Sequence, residues 1–399
     1  MKPLLLLGSA KIDITPVHSV PLAGFAHRKN GFESVVHPLY SRIHCFEQID
    51  AEGKRMSVLF VSADLIWWGT DFVEQLRPKL VKRFGFDTVL LHATHTHSGP
   101  QTSGRFVEAL GMKDEAYMEF LEERLVLGTE QALRTVEPVT VQKGSESCRI
   151  GVNRRLESDG EILMAPNEAG PVDQEVTVIQ FLKLNGGTKS VFVHYTCHPT
   201  TTDDNAVSSE FPGYAMDRIE DGFGGEAVGA FLQGCCGDIR PYLAEEGQFY
   251  RGSRAEVERF GKQLSDTVFR IVQRPMTELA PSVLQSRSSA LELPFQEPSP
   301  LTGISLEISW LQLAEGLSLI TFNAEMVVEY GLYIKENSRG SILPMAYTNG
   351  MIGYVPTRQQ LAQGGYEAKG SVPFFGLPGP FDPSLESRIR REIQNYMMR

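Results

Sequence analysis

Met56-Ser57-Val58-Leu59-Phe60-Val61 and Thr88-Val89-Leu90-Leu91-His92 flank a segment whose apolar residues are Phe72, Val73, Leu76, Leu80, Val81 and Phe84. The two outer runs are short, apolar and of strand length, as in strands buried on both faces. The inner spacing is helical over 70–84, and Gly85 follows where a helix C-cap favours a left-handed residue. Strand, helix and strand together predict a parallel pair joined by a right-handed crossover.

The pattern recurs. Val191–Cys197 and Ala227–Gln233 read as strands around a helix starting near Pro212, with Ser208 or Ser209 as cap. A helix at about 254–273 carries Val257, Phe260, Leu264, Val268 and Ile271 on one face, and another at about 114–136 carries Tyr117, Phe120, Leu121, Leu125 and Leu133. Leu317–Phe322 reads as a strand leading into a helical Glu325–Lys335. Leu4–Leu7 offers only four leucines, against the roughly 7–15 apolar residues of a signal-peptide core, and reads as a first strand running towards Lys11-Ile12-Asp13-Ile14-Thr15-Pro16. The expected fold is α/β: a mixed β-sheet core with flanking helices. Residues 1–399 are expected to form one domain, with a loop-rich crossing at about 273–303 marked by Pro275, Pro281, Pro294, Pro298 and Pro300.

Composition narrows the function. Across 399 residues, hydrophobic residues are 42% and charged residues 22%, the balance of a globular chain with a sizeable core. The net charge of −11 argues against nucleic acid or an anionic membrane as main partner, because phosphate binding needs a basic surface. No stretch approaches the 20 or so apolar residues of a transmembrane helix. The five cysteines, Cys45, Cys148, Cys197, Cys235 and Cys236, form no CxxC pair and no disulfide framework. A cytoplasmic protein with buried thiols and a small-molecule partner is the expectation.

The chemistry gathers where strands end. Ser62-Ala63-Asp64, Thr94-His95-Thr96-His97-Ser98-Gly99-Pro100, His198-Pro199-Thr200, Gly234-Cys235-Cys236-Gly237-Asp238 and Asn323-Ala324-Glu325 each follow a strand. In open α/β sheets, ligands bind beyond the carboxyl ends of the strands. His95 and His97 stand two apart, which in extended chain places both rings on one side. That is a metal-site element, a ligand plus a proton carrier, or a hydrogen-bonded structural pair. His198 and Glu325 at other strand ends favour the metal, since two histidines, a carboxylate and an open position form a catalytic zinc set. Asp64 and Asp238 share that placement, and equally fit a helix cap and a turn brace.

Several of these motifs resemble the neutral/alkaline ceramidase family. They are Lys11–Pro16, Ala93–Pro100, Gly151-Val152-Asn153-Arg154-Arg155, His198-Pro199-Thr200, Gly237-Asp238-Ile239-Arg240-Pro241, Asn323-Ala324-Glu325 and Gly353-Tyr354-Val355-Pro356-Thr357-Arg358, with Tyr366-Glu367 downstream. They run in family order over most of the chain. The resemblance implies one Zn2+ per chain, held by His95, His198, Glu325 and Tyr354. It also implies His97, Arg154 and Tyr366 as further active-site residues, in a hydrolase that attacks an amide with metal-activated water.

Departures from the family pattern concern the substrate. Arg240 stands where the family carries a serine, placing a cation in the site that suits an acidic or phosphate-like group. Gln101-Thr102 replaces a glycine pair, and Ala324 replaces the glycine before the glutamate. No C-terminal immunoglobulin-like domain of the kind the family carries is expected. The expected activity is therefore zinc-dependent hydrolysis of an N-acyl amide or related acyl bond in a substrate more polar than ceramide. The competing expectations are an ester or lactone hydrolase or a lyase on the same metal, and a non-catalytic binding protein with Arg240 lying across the metal's open position.

Overall fold

The computed structural model describes residues 4–49, 52–298 and 301–398. Met1, Lys2, Pro3, Pro300 of the expected crossing, and Arg399 lie outside them. The principal sheet contains β1 (Leu5–Asp13), β2 (Tyr40–Ile49), β3 (Arg55–Ala63), β4 (Thr88–Ala93), β5 (Glu137–Ser147), β6 (Glu175–Lys183), β7 (Thr188–Tyr195) and β8 (Val228–Gln233). Their spatial order is β8-β7-β6-β5-β1-β2-β3-β4, and a short β9 (Thr277–Leu279) pairs with β5. The end pairs β3–β4 and β7–β8 are parallel, and the pairs between them are antiparallel. The sheet is thus mixed, as expected, and the decisive strand–helix–strand unit is in place with Val58 opposite Thr88.

Helix α1 (Thr70–Phe84) keeps its expected bounds, closed by Gly85 at φ 72° donating its N–H to Val81 O. Helices α2 (Glu115–Leu133), α3 (Glu210–Gly222) and α4 (Arg254–Val272) follow their patterns within a few residues. Ser253 and Glu256 form a reciprocal capping box at the start of α4. The period-two alternation of β3 divides the core. Leu59, Val61 and Ala63 join the apolar body that contains the buried faces of α1 to α4. Val58 and Phe60 join a second apolar body.

That second body is shared with another sheet: β10 (Gln285–Pro294), β11 (Gly303–Ala314), β12 (Leu317–Phe322) and β13 (Ile342–Met345). Leu311, Leu313, Leu317, Leu319, Leu343 and Met345 meet Phe46, Phe60, Phe181 and Phe192 there. The segment 273–303 does cross from one sheet to the other, but it carries strands β9 and β10 rather than only loop. Its prolines mask an alternating pattern: Leu291 and Leu293 pack while Glu292 points out.

Two contacts draw the ends of the principal sheet together. Ser62 Oγ of β3 donates to Phe231 O of β8 at 2.8 Å, and Gln233 N of β8 donates to His92 Nε2 of β4 at 2.9 Å. The carboxyl ends of β4, β7 and β8 therefore converge although β4 and β8 lie at opposite ends of the sheet order. The five described cysteines are free and buried. No described helix is long and apolar enough to cross a membrane.

Candidate metal centre

His95 follows β4 in a left-handed backbone conformation, φ 71°, rather than the extended one that its spacing from His97 suggested. A non-glycine residue there is strained, and such strain persists where its surroundings over-determine it. His95 N donates to Leu65 O at 2.8 Å, and its Nδ1 lies 2.7 Å from Ile66 O. A carbonyl can only accept, so Nδ1 carries the proton and Nε2 presents its lone pair.

His198, beyond the end of β7, is held in the same way. Its Nδ1 lies 2.6 Å from Cys236 O and 3.0 Å from Ile239 O. Its buried Nε2 has no hydrogen-bond partner among the described residues, although Glu325 Oε2 stands 3.2 Å away. The same Glu325 oxygen lies 3.4 Å from His95 Nε2. Burial, helped by Arg154 and His95 and opposed by Glu325, drives the His198 imidazole down to about 4. Burial also pushes the Glu325 carboxyl up, but the two imidazoles outweigh it and hold the group well below the ordinary carboxylate range. Two ring nitrogens whose partner atoms are tied to carbonyls and one carboxylate oxygen therefore converge on a single buried point. That donor set fits a cation.

Glu325 is not the first turn of a helix, as its sequence context suggested. It begins a two-residue strand, Glu325–Met326, parallel to Tyr354–Val355, and the helix that follows, α5 (Val328–Asn337), starts three residues later. Glu325 and Tyr354, both expected ligands, are direct partners across that ladder. The Tyr354 hydroxyl receives a hydrogen bond from Arg154 Nη2 at 3.2 Å. Arg154 is fixed from its other side by Glu367, at 2.8 Å. The Tyr366 ring lies 5.4 Å from that of Tyr354, under the same guanidinium. Burial raises the Tyr366 phenol to about 12, so it remains a proton donor.

His97 is half-buried, with Nε2 3.2 Å from His95 Nε2. The ligating atoms of His95, His97 and His198 all lie within 4.8 Å of one another, so three histidines form a rival ligand set. The difference between them is anchoring. His97 Nδ1 has no hydrogen-bond partner among the described residues, whereas the Nδ1 atoms of His95 and His198 are tied to carbonyls. An untied ring in partial contact with solvent suits a proton carrier better than a fixed ligand.

The expected residues thus form two adjoining groups, His95–His97–His198–Glu325 and Arg154–Tyr354–Tyr366, linked through the ladder. Arg240 joins neither by a hydrogen bond or ion pair among the described residues. Its guanidinium lies 4.3 Å over the Phe249 ring. Asp64 and Asp238 are braces rather than site groups. Asp64 accepts from Tyr40 N at 2.9 Å and pairs with Arg42 at 3.2 Å. Asp238 accepts from Val328 N at 2.8 Å and from Gln360 at 3.1 Å.

Sequence reasoning missed Tyr347, which stacks on His95 at 3.8 Å between ring centroids and sits 3.4 Å from Glu325 Oε2. It also missed Phe25, whose ring stands 5.3 Å from that of His97. Neither lies at the end of a recognisable strand, and no spacing pattern in the sequence picks them out.

Comparison with known proteins defines the class. The family described as neutral/alkaline non-lysosomal ceramidase, N-terminal, matches residues 5–258, and the chain belongs to that family. The match contains His95, His97, Arg154, His198 and Arg240, and stops before Glu325, Tyr354 and Tyr366. Among individual relatives, the neutral ceramidase of Pseudomonas aeruginosa is 24% identical over 251 residues, which span 59% of this chain and 37% of that protein. Neutral ceramidase A of Dictyostelium discoideum is 27% identical over 224 residues, 50% of this chain and 31% of its own length. The matched region therefore spans only about a third of these relatives. The crystal structure of the Pseudomonas aeruginosa enzyme superposes with a TM-score of 0.81 at 18% identity, covering 100% of this chain and 74% of that one. At that identity the likeness shows the fold.

Proposed function

We propose that the chain is a zinc-dependent hydrolase of N-acyl amides. The observation that carries this reading is the convergence of two carbonyl-fixed imidazoles and the ionised Glu325 carboxylate on one buried point. Membership of a family whose relatives are named ceramidases supports the amide as the bond cleaved. His95, His198 and Glu325 would hold one ion, with Tyr354 as fourth donor beside Arg154. An ion there supplies Lewis-acid polarisation and water acidified from 15.7 towards about 7.

The protein's own groups do the rest. His97 accepts a proton at Nε2 from the attacking water and delivers it to the leaving amine nitrogen. Tyr366 donates its hydroxyl hydrogen to the oxygen that gains charge as the acyl carbon becomes tetrahedral. Glu367 fixes Arg154, which in turn fixes the Tyr354 hydroxyl, a phenol that burial and Glu325 push well above its ordinary range against the pull of Arg154.

Elemental analysis of the purified chain tests the centre, and N-hexanoylethanolamine tests the reaction. About one zinc per chain is expected, with hydrolysis lost on chelation and restored by zinc. Full zinc occupancy in both His95→Ala and His198→Ala would overturn the ligand set. A zinc-loaded chain that cleaves esters but no amide would overturn the substrate class.

A further inference from the structure

Beside the centre lies a group of cations that the hydrolytic chemistry does not use. Arg240 follows Ile239, whose carbonyl accepts from both the backbone and the ring of His198. It is 6% exposed, its Nε has no hydrogen-bond partner, and no carboxylate pairs with it among the described residues. Its one contact of note is the Phe249 ring. A buried guanidinium keeps its charge, and a buried charge is normally paired.

The neighbours deepen the imbalance. Arg251, at the exposed rim, and Arg28 lie 4.6 and 4.7 Å over the Phe25 ring, which in turn flanks His97. Arg28 donates to the carbonyls of Ala23, His97 and Asp203 and to Ser98 Oγ, all neutral acceptors, and the carboxylates of Asp203, Glu210 and Asp204 act on it only from a distance. Among the described residues, Asp203, 3.6 Å from Arg251 Nε, is the one carboxylate paired with the three. Burial, then Arg251 and Arg154, push the Arg240 guanidinium down to about 9, so like charges face it from two elements. From rim to interior the sequence is Arg251, Phe25, His97 and the centre, with Arg240 beside the His198 anchor.

We propose that Arg240, with Arg251 at the rim, recognises an anionic oxygen group, carboxylate or phosphate, carried by the amide substrate. The missing counter-charge is supplied by the substrate itself, and Arg240 is a specificity-determining residue. This inference rests on the amide-hydrolase reading and narrows it to acidic amides. Bidentate geometry suits arginine to either anion, and lysine would meet it only as a point charge.

Three short amides differing in head group test it: N-hexanoylglycine, N-hexanoyl-phosphoethanolamine and neutral N-hexanoylethanolamine. The wild-type zinc enzyme is expected to favour at least one anionic amide by about tenfold or more in kcat/KM. Which one it favours separates carboxylate from phosphate. In R240M that preference falls to within about twofold, mainly through KM, and R240K keeps part of it. Equal turnover of all three amides by the wild type, or an undiminished preference in R240M, overturns the anion site while leaving the amidase intact. If none is cleaved, the amidase reading falls. Calorimetric binding of N-hexanoylglycine then decides alone: binding that R240M abolishes keeps the anion site, and binding no tighter than that of N-hexanoylethanolamine overturns it.

Discussion

Arg42 and Arg240 are both buried guanidinium groups, and the fold treats them oppositely. Every nitrogen of Arg42 has a carboxylate: Nε meets Glu220 at 2.8 Å, Nη1 meets Asp64 at 3.2 Å and Nη2 meets Asp217 at 2.6 Å. Lys11 closes the network on Asp217 and Glu220. Although burial pushes the Glu220 carboxyl up, Arg42 and Lys11 bring it down to about 2. Arg240 has an aromatic face and no counter-charge among the described residues. The first arrangement is complete as it stands and holds β2, the end of β3 and α3 together. The second is complete only with something added.

The largest effect belongs to the centre. His198→Ala is expected to lose stoichiometric zinc and with it amide hydrolysis, while far-ultraviolet circular dichroism remains that of the wild type. Unfolding of the variant would mean that the pair of carbonyls holding the ring is a structural tie first. Next comes Arg42→Met, which strands the buried Asp64 carboxylate and leaves Glu220 with Lys11 alone, and should lower unfolding stability by about 3–5 kcal/mol in denaturant titration.

A smaller effect is pH-dependent. Burial, then Asp238, raise the Glu329 carboxyl to about 8. The native state therefore holds a proton that the unfolded chain has released, and stability falls as pH rises from about 4.5 to about 8, by up to about 1.4 kcal/mol per pH unit. Buried His44 and His92, driven to about 3, act the other way between about 3 and 6.5. Those imidazole contributions end by about pH 6.5, and Glu329→Gln should flatten the slope seen in thermal melts between pH 6.5 and 8. An unchanged slope would place the proton elsewhere. The smallest effect is Arg240→Met, expected to change stability by less than about 1 kcal/mol or to raise it, since removing an unpaired buried charge relieves desolvation. A loss as large as that from Arg42→Met would erase the contrast between the two arginines.

What the sequence reveals follows from what is local. The period of α1, the Gly85 cap and the strands before His95 and His198 depend on neighbours within a few residues, and periodicity shows them. Residue type alone marks His95, His97 and Glu325 as ligand material. The conformation that joins them is not local. Glu325 has the surroundings of a helix start, and pairing with Tyr354 overrides that preference. The left-handed turn at His95 is imposed by Leu65 and Ile66, and Tyr347 reaches the centre by packing. Asp64 has the same placement after a strand as His95 and His198, and only the distant Arg42 network reveals it as a brace.

The ladder between Glu325 and Tyr354 also dictates an order of events. Two imidazoles from the first half of the chain lack their carboxylate until the last strands have docked. During synthesis, a chain that has emerged only as far as α4 offers an incoming ion the imidazoles of His95, His97 and His198 without the Glu325 carboxylate. Tight metal capture then waits for the final stretch to arrive. An ion retained against chelator would serve as a timestamp for completed folding.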